Sequence, residues 1–293
     1  MTGVLWAAVS GIGFGLFQSV NVRAVRRLDD VYVSTFLQLL IAAALLLGAC
    51  IAVGDLPLLA DASAWALISF GLAGLVHFFL GWTLLNVSQD RIGAARTSPL
   101  LTTVPLFGLA IAAVTLGQTP GTAALAGIAV MVAGALVITD PRAEAGLRWQ
   151  DSLPGVATAF LWALSPVFTV EGLEELDSPL LGVTIGLVFS ALAYALVLAA
   201  TPGERGSARD LPREGVALKL VSGVLVALAI WGRWEALDLA DVGVVLALNL
   251  LAVPTVLLLA PVIAGRHLEH VDARIWLGAG LVVVGSLILI AAD

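Results

Sequence analysis

Long apolar runs separated by short polar or charged breaks set the rhythm of this chain. Residues 63–88 and 97–139 contain no Asp, Glu, Lys or Arg at all. Divided at their breaks, the runs predict ten helices over residues 3–20, 31–53, 63–86, 94–116, 121–139, 152–171, 178–200, 215–237, 242–264 and 273–292. The breaks are charged or turn-like, as in Arg26-Arg27-Leu28-Asp29-Asp30, Gly54-Asp55-Leu56-Pro57, Gln118-Thr119-Pro120-Gly121 and Asp177-Ser178-Pro179. A helical crossing of a bilayer takes roughly 20 apolar residues. Runs of continuous rather than alternating hydrophobicity exclude a transmembrane barrel, leaving helices to satisfy the backbone in lipid. The pattern therefore predicts an all-α polytopic membrane protein with ten transmembrane helices.

The same landmarks occur twice. Arg91-Ile92-Gly93 opens a segment holding Pro105, Gly127 and Gly134; Asp241-Val242-Gly243 opens another holding Pro254, Gly278 and Gly285. The corresponding positions lie 149 to 151 residues apart, as do Trp82 and Trp231, and Phe17 and Phe168. A near-constant offset across several residue types reads as duplication. Residues 1–140 form the first five-helix repeat, 141–151 the linker and 152–293 the second. Five helices per repeat is an odd number, so the halves enter the membrane from opposite sides, a 5+5 inverted repeat. Such proteins bind their substrate near the midplane between the halves. Pro99 and Pro105 in helix 4, Pro166 in helix 6, and Pro254 and Pro261 in helix 9 each remove a backbone donor and kink or break their helix. Helices 4 and 9 are repeat equivalents, and matched interruptions point to a transport site.

This arrangement of small-residue entry, mid-helix proline, Leu-Gly turn and closing glycine-containing helix, present twice, resembles the drug/metabolite transporter superfamily with paired EamA-like domains. The resemblance spans essentially the whole chain and is clearest over residues 91–138 and 241–290. It implies a secondary transporter or facilitator for a small organic metabolite, working by alternating access through a central cavity. One departure is visible: relatives often carry Glu after the Leu-Gly pair, where here Leu116-Gly117 is followed by Gln118, and Gly265 by Arg266.

Composition supports the membrane class. Of 293 residues, 60% are hydrophobic and 12% charged, against about 25% charged in soluble domains. The mean hydropathy is +1.05. Cys50 is the lone cysteine and has no intramolecular partner. The N-terminal run lacks a basic lead and a cleavage-like site, so it reads as a retained first helix. No basic, aromatic-interleaved patch suggests nucleic acid. The expected partners are a small-molecule substrate and the lipid bilayer of the cell membrane, with a homodimer left open. Thirteen of the 14 basic residues fall around the breaks after helices 1, 3, 5, 7 and 9, Lys219 counted among them, with Arg233 alone on the other side. The positive-inside rule then puts both termini outside.

Polar groups deep in a span are expensive unless they are paired, which makes the few present here candidates for function. His77 lies mid-helix 3 and reads either as a substrate ligand and proton carrier or as a histidine bonded to a neighbouring helix. Gln18, Asn21 and Asn249, with Gln38 and Asn86, read as ligands or as interhelical glue. Arg233 reads as an anion-binding fork or as a side chain snorkelling between interfacial Trp231 and Trp234, and the tryptophans favour the second. Trp82 and Trp162 are deep enough to line a cavity with Pro105 and Pro254, while Trp6, Trp65 and Trp276 read as interfacial anchors. Gly11, Gly15 and Ser19, and the pairs Gly127/Gly134 and Gly278/Gly285, predict small-residue seams. The cavity should be lined by helices 1, 3, 4, 6, 8 and 9, with helices 5 and 10 peripheral. An intramembrane enzyme acting on a lipid-like substrate would need paired carboxylates, a metal cluster or a nucleophile with a base. His267-Leu268-Glu269-His270 reads as a solvated turn, no nucleotide-binding loop occurs, and neither cofactor nor metal is expected. A non-transporting structural subunit remains the third reading.

Overall fold

A computed structural model describes residues 2–104, 106–108, 110–111, 121–139, 148–200, 211–239, 245, 248–265 and 271–292. The described residues are helical throughout apart from short connections. In chain order the helices are α1 (Thr2–Leu28), α2 (Val31–Val53), α3 (Ala64–Ile92), α4 (Ala94–Leu101, resuming after a break), α5 (Thr122–Thr139), α6 (Leu153–Glu175), α7 (Pro179–Ala200), α8 (Arg213–Leu239), α9 (Ala252–Ile263) and α10 (Ala273–Ala292). One falls in each of the ten predicted runs, α4 and α9 covering only part of the predicted 94–116 and 242–264 among the described residues. Among the described residues, six of the helices are long and apolar enough to cross a membrane by themselves.

Local chemistry fixes the boundaries. The Asp30 carboxylate caps α2 by accepting from the amides of Tyr32 (2.9 Å) and Val33 (3.0 Å). Gly54, at φ 85°, ends α2 in the left-handed region that disfavours other residues. The Ser63 hydroxyl caps α3, and Gly93, at φ 79°, separates α3 from α4. Two helices run further than hydropathy alone predicts. α1 continues to Leu28 and α3 to Ile92, because Asn21, Asn86 and Gln89 turn into the bundle instead of marking its edge.

The packing carries the symmetry of the repeat. α1 packs on α8 as α3 packs on α6; α2 packs on α7, and α5 on α10. Each pair is either its own mate or has one when repeat-equivalent helices are exchanged. The glycine contacts repeat this at atomic detail. A Cβ on Gly134 would stand 2.7 Å from the Gly278 carbonyl oxygen, and one on Gly285 would stand 2.7 Å from that of Gly127. The predicted seams thus hold α5 against α10, away from the centre. Gly11 and Gly15 of α1 press on Leu248 and on Thr255 of α9. The outer surface is apolar, with Leu5, Ile51, Leu136, Leu196 and Val262 among the most exposed side chains. Such a surface suits lipid rather than water.

Candidate functional site: a cavity at two broken helices

Helices α4 and α9 break at positions about 150 residues apart, the offset of the repeat. After Leu101 the chain makes tight turns, with the Thr102 amide donating to the Pro99 carbonyl (3.2 Å) and the Thr103 amide to that of Leu100 (3.1 Å). Ahead of α9 the Leu251 amide donates to Leu248 (3.1 Å) and the Val253 amide to Leu250 (3.1 Å), so the regular four-residue ladder lapses there too. Pro254 sits in the first turn of α9, half-buried, and its missing donor explains why the ladder restarts where it does. Pro105, its repeat equivalent, lies outside the described residues.

Between these breaks is a cavity offering about 70 Å³ to the centres of water molecules. Phe14 and Gln18 reach it from α1, Trp162 from α6 and Arg233 from α8. Ser98, Leu101 and Thr102 come from the α4 break, and Asn249, Leu250 and Ala252 from the α9 break. It lies among five of the six helices expected; α3 stands behind Trp162. The walls are mostly apolar, with a few polar groups converging, which is the usual make-up of a small-molecule site. The buried Gln18 Oε1, Ser98 Oγ and Asn249 Oδ1 have no hydrogen-bond partner among the described residues. Buried polar atoms ordinarily find partners, so three orphans at one cavity leave hydrogen-bonding positions open there.

Arg233 corrects the sequence reading. It does not snorkel: the side chain is 8% exposed and lines the cavity. The tryptophans beside it are not anchoring it at an interface. Trp234 is buried against Phe70 and Gly182, and the Trp231 indole donates to Glu235 (2.8 Å) while its ring meets Trp6. Glu235 is therefore engaged one turn along its own helix and does not pair with Arg233, as their spacing implied.

His77 is one layer back from the cavity. Residues Leu75–Gly81 of α3 form a π-helical turn with His77 inside it. Widened turns of this kind recur at functional positions. The imidazole stacks on the Trp162 indole, with centroids 4.9 Å apart and planes at 5°. Its Nδ1 bonds the Ser165 hydroxyl (2.8 Å), while Nε2 has no partner among the described residues. The Trp162 indole N–H donates to the His77 carbonyl (3.3 Å), and Gly81 leaves room for that indole. His77 is thus both interhelical glue and the backing of the cavity's aromatic wall. Trp82 is fully buried in the core, packed on Phe78, and does not line the cavity.

Asn21 belongs to a different polar centre, which sequence reading missed. Its amide nitrogen donates to Asn86 Oδ1 (2.6 Å) and Gln89 Oε1 (2.7 Å), and its oxygen accepts from the Lys219 ammonium. Lys219 also donates to Gln38 Oε1 (2.8 Å), and Asn86 donates to Thr35 (2.7 Å). Lys219, counted above among the loop charges, is fully buried in α8. Its one sequence signal was a solitary lysine, the only one in the chain, set inside the apolar stretch Val216-Ala217-Leu218-Lys219-Leu220-Val221.

Residues 1–140 match the model of the EamA-like transporter family. That match, over just under half of the chain, places residues 1–140 in the EamA-like transporter family of the drug/metabolite transporter superfamily. It is accordingly an integral, multi-pass membrane protein of transporter type. No curated protein sequence matches the chain. Among solved structures, one described only as "Crystal structure of protein" is similar over 96% of this chain and 95% of its own, with a TM-score of 0.64 and 18% identity. At that identity the likeness speaks for the fold alone.

Proposed function

We propose that this EamA-like protein is a secondary transporter or facilitator that carries a small organic metabolite through the central cavity by alternating access. The observation that supports this best is the convergence of the two broken helices on one mostly apolar cavity with a few polar groups turned into it. Interrupted backbone at membrane depth persists where it lines a cavity, and paired interruptions in repeat-related helices are where transporters hold their substrates. The division into equivalent halves at residues 1–140 and 152–293 supplies the two bodies that would rock about the site. Trp162 and Phe14 offer an apolar wall, while Gln18, Ser98, Thr102 and Asn249 offer hydrogen bonds to orient a ligand. The test is flux: purified protein in sealed liposomes, offered a panel of labelled metabolites, should move at least one saturably and faster than protein-free liposomes. Thr102→Phe, which fills the cavity at the α4 break, should abolish that flux while leaving the protein folded. Saturable flux unaltered in Thr102→Phe refutes the assignment of the pathway to this cavity.

A further inference from the structure

We propose that the substrate is a small organic anion, its carboxylate or similar oxyanion gripped by the Arg233 guanidinium and its apolar body laid against Phe14 and Trp162; this rests on the transport reading above. A guanidinium removed from water is costly unless a partner replaces its hydration. The other buried cation among the described residues has such partners: Lys219 is held by the oxygens of Asn21 and Gln38. Arg233, 8% exposed, has no hydrogen-bond or ion-pair partner among the described residues and faces the cavity. Of the carboxylates of α8, Glu235 takes the Trp231 indole, Asp238 is exposed, and Glu214, at the far end of the helix, pairs with Arg23 and Arg27.

The surroundings extend the same bias. No Asp or Glu is among the buried described residues. Lys219 and Arg233 stand fourteen residues apart on α8, close to four whole turns, so they share one face of that helix about 21 Å apart. Buried positions that hold two cations and no acid among the described residues attract anions and repel cations. A neutral ligand would offer the guanidinium a carbonyl but neither a countercharge nor a second parallel acceptor, so it should bind less well than an anion of the same shape. The planar fork of Arg233 fits a carboxylate with two parallel hydrogen bonds. Gln18, Ser98 and Asn249 are left for polar groups beside it. The cavity's size suits a molecule on the order of ten non-hydrogen atoms.

The experiment uses charge-matched series on the purified, detergent-solubilised full chain: benzoate, benzamide and benzylamine, then phenylacetate, phenylacetamide and phenethylamine. Thermal stabilisation gives apparent affinities, and the same compounds are then offered to protein-bearing liposomes. At least one carboxylate should bind about tenfold or more tighter than its amide, with the amine weakest. Arg233→Gln should erase that preference, and Arg233→Lys, which keeps charge but loses the fork, should reduce it. The wild-type series decides the charge question even where Arg233→Gln does not fold. Amides that bind as well as carboxylates, or amines that bind better, overturn the proposal. So does a carboxylate preference untouched by Arg233→Lys and Arg233→Gln. Carboxylates that bind through Arg233 yet never cross the liposome membrane uphold the anion site and defeat the transport reading. Amides that cross while carboxylates do not defeat the anion proposal and leave transport standing.

Discussion

Gly74→Ala is a severe test of how α3 is held. An added Cβ would stand 2.1 Å from the Gly186 carbonyl oxygen and 2.4 Å from the Gly186 Cα. Both obstacles are backbone, so no side chain can swing aside, and α3 and α7 must separate by about 1 Å to restore ordinary contact. Overpacking of this kind costs about 1–3 kcal/mol. Replacing a helical glycine returns about 0.5–1 kcal/mol, which leaves a net loss of roughly 1–2 kcal/mol. At about 2–3 °C per kcal/mol for a chain of this size, the midpoint should fall by about 2–6 °C. The strain falls one residue before the π-helical turn that carries His77, so the cavity's aromatic wall should loosen with it. Thermal unfolding of the detergent-solubilised variant measures the effect. The control is Gly48→Ala, where a Cβ meets nothing within 4 Å and only the propensity gain applies. Equal midpoints for the two variants refute the close α3–α7 approach and the account of the turn built on it.

Asn21→Ala removes three hydrogen bonds at once, leaving Lys219 with Gln38 alone; about 2–5 kcal/mol of stability should go, read as a lower unfolding midpoint, and an unaltered midpoint contradicts the buried centre. Gly134→Leu forces α5 from α10 at the periphery, so it should lower thermal stability while leaving the apparent affinity of any cavity ligand within about twofold; a large affinity loss with intact folding means α5 and α10 are not peripheral. The charge bias of the breaks gives an orientation: thiols engineered within residues 201–214 should resist an impermeant reagent in intact cells while one at Glu174 reacts, and the reverse pattern refutes the positive-inside assignment.

Hydropathy made the ten helices legible because lipid imposes the same apolar length on every span. The repeat was legible because proline and glycine leave their mark locally, at Pro254 and at Gly127, Gly134, Gly278 and Gly285. The polar interior was not. Asn21, Gln38 and Lys219 meet across separations of about 180 to 200 residues, so no window along the chain could bring them together. A lysine six residues into a helix looks like an interfacial charge until its neighbours are known, and Arg233 between two tryptophans looks the same. In both cases the deciding fact is which helix face meets α1, a tertiary property. The π-helical turn around His77 has no sequence signature; it arises where Gly74 and Gly81 let α7 and Trp162 crowd α3. Gln18, Trp162 and Asn249, named as candidates, do meet at one cavity, and Arg233, read rather as a snorkelling side chain, joins them there, whereas Trp82 and Asn21 were anticipated at a site and pack elsewhere.

The central claim is that the cavity at the two helix breaks opens in turn to each side of the membrane. A single thiol reads this directly: Thr102→Cys in a Cys50→Ala background, in sealed vesicles whose two faces are exposed separately to an impermeant thiol reagent. Alternating access predicts labelling from both faces, slowed from both by any ligand that the protein transports. Labelling from one face only, with or without ligand, contradicts it.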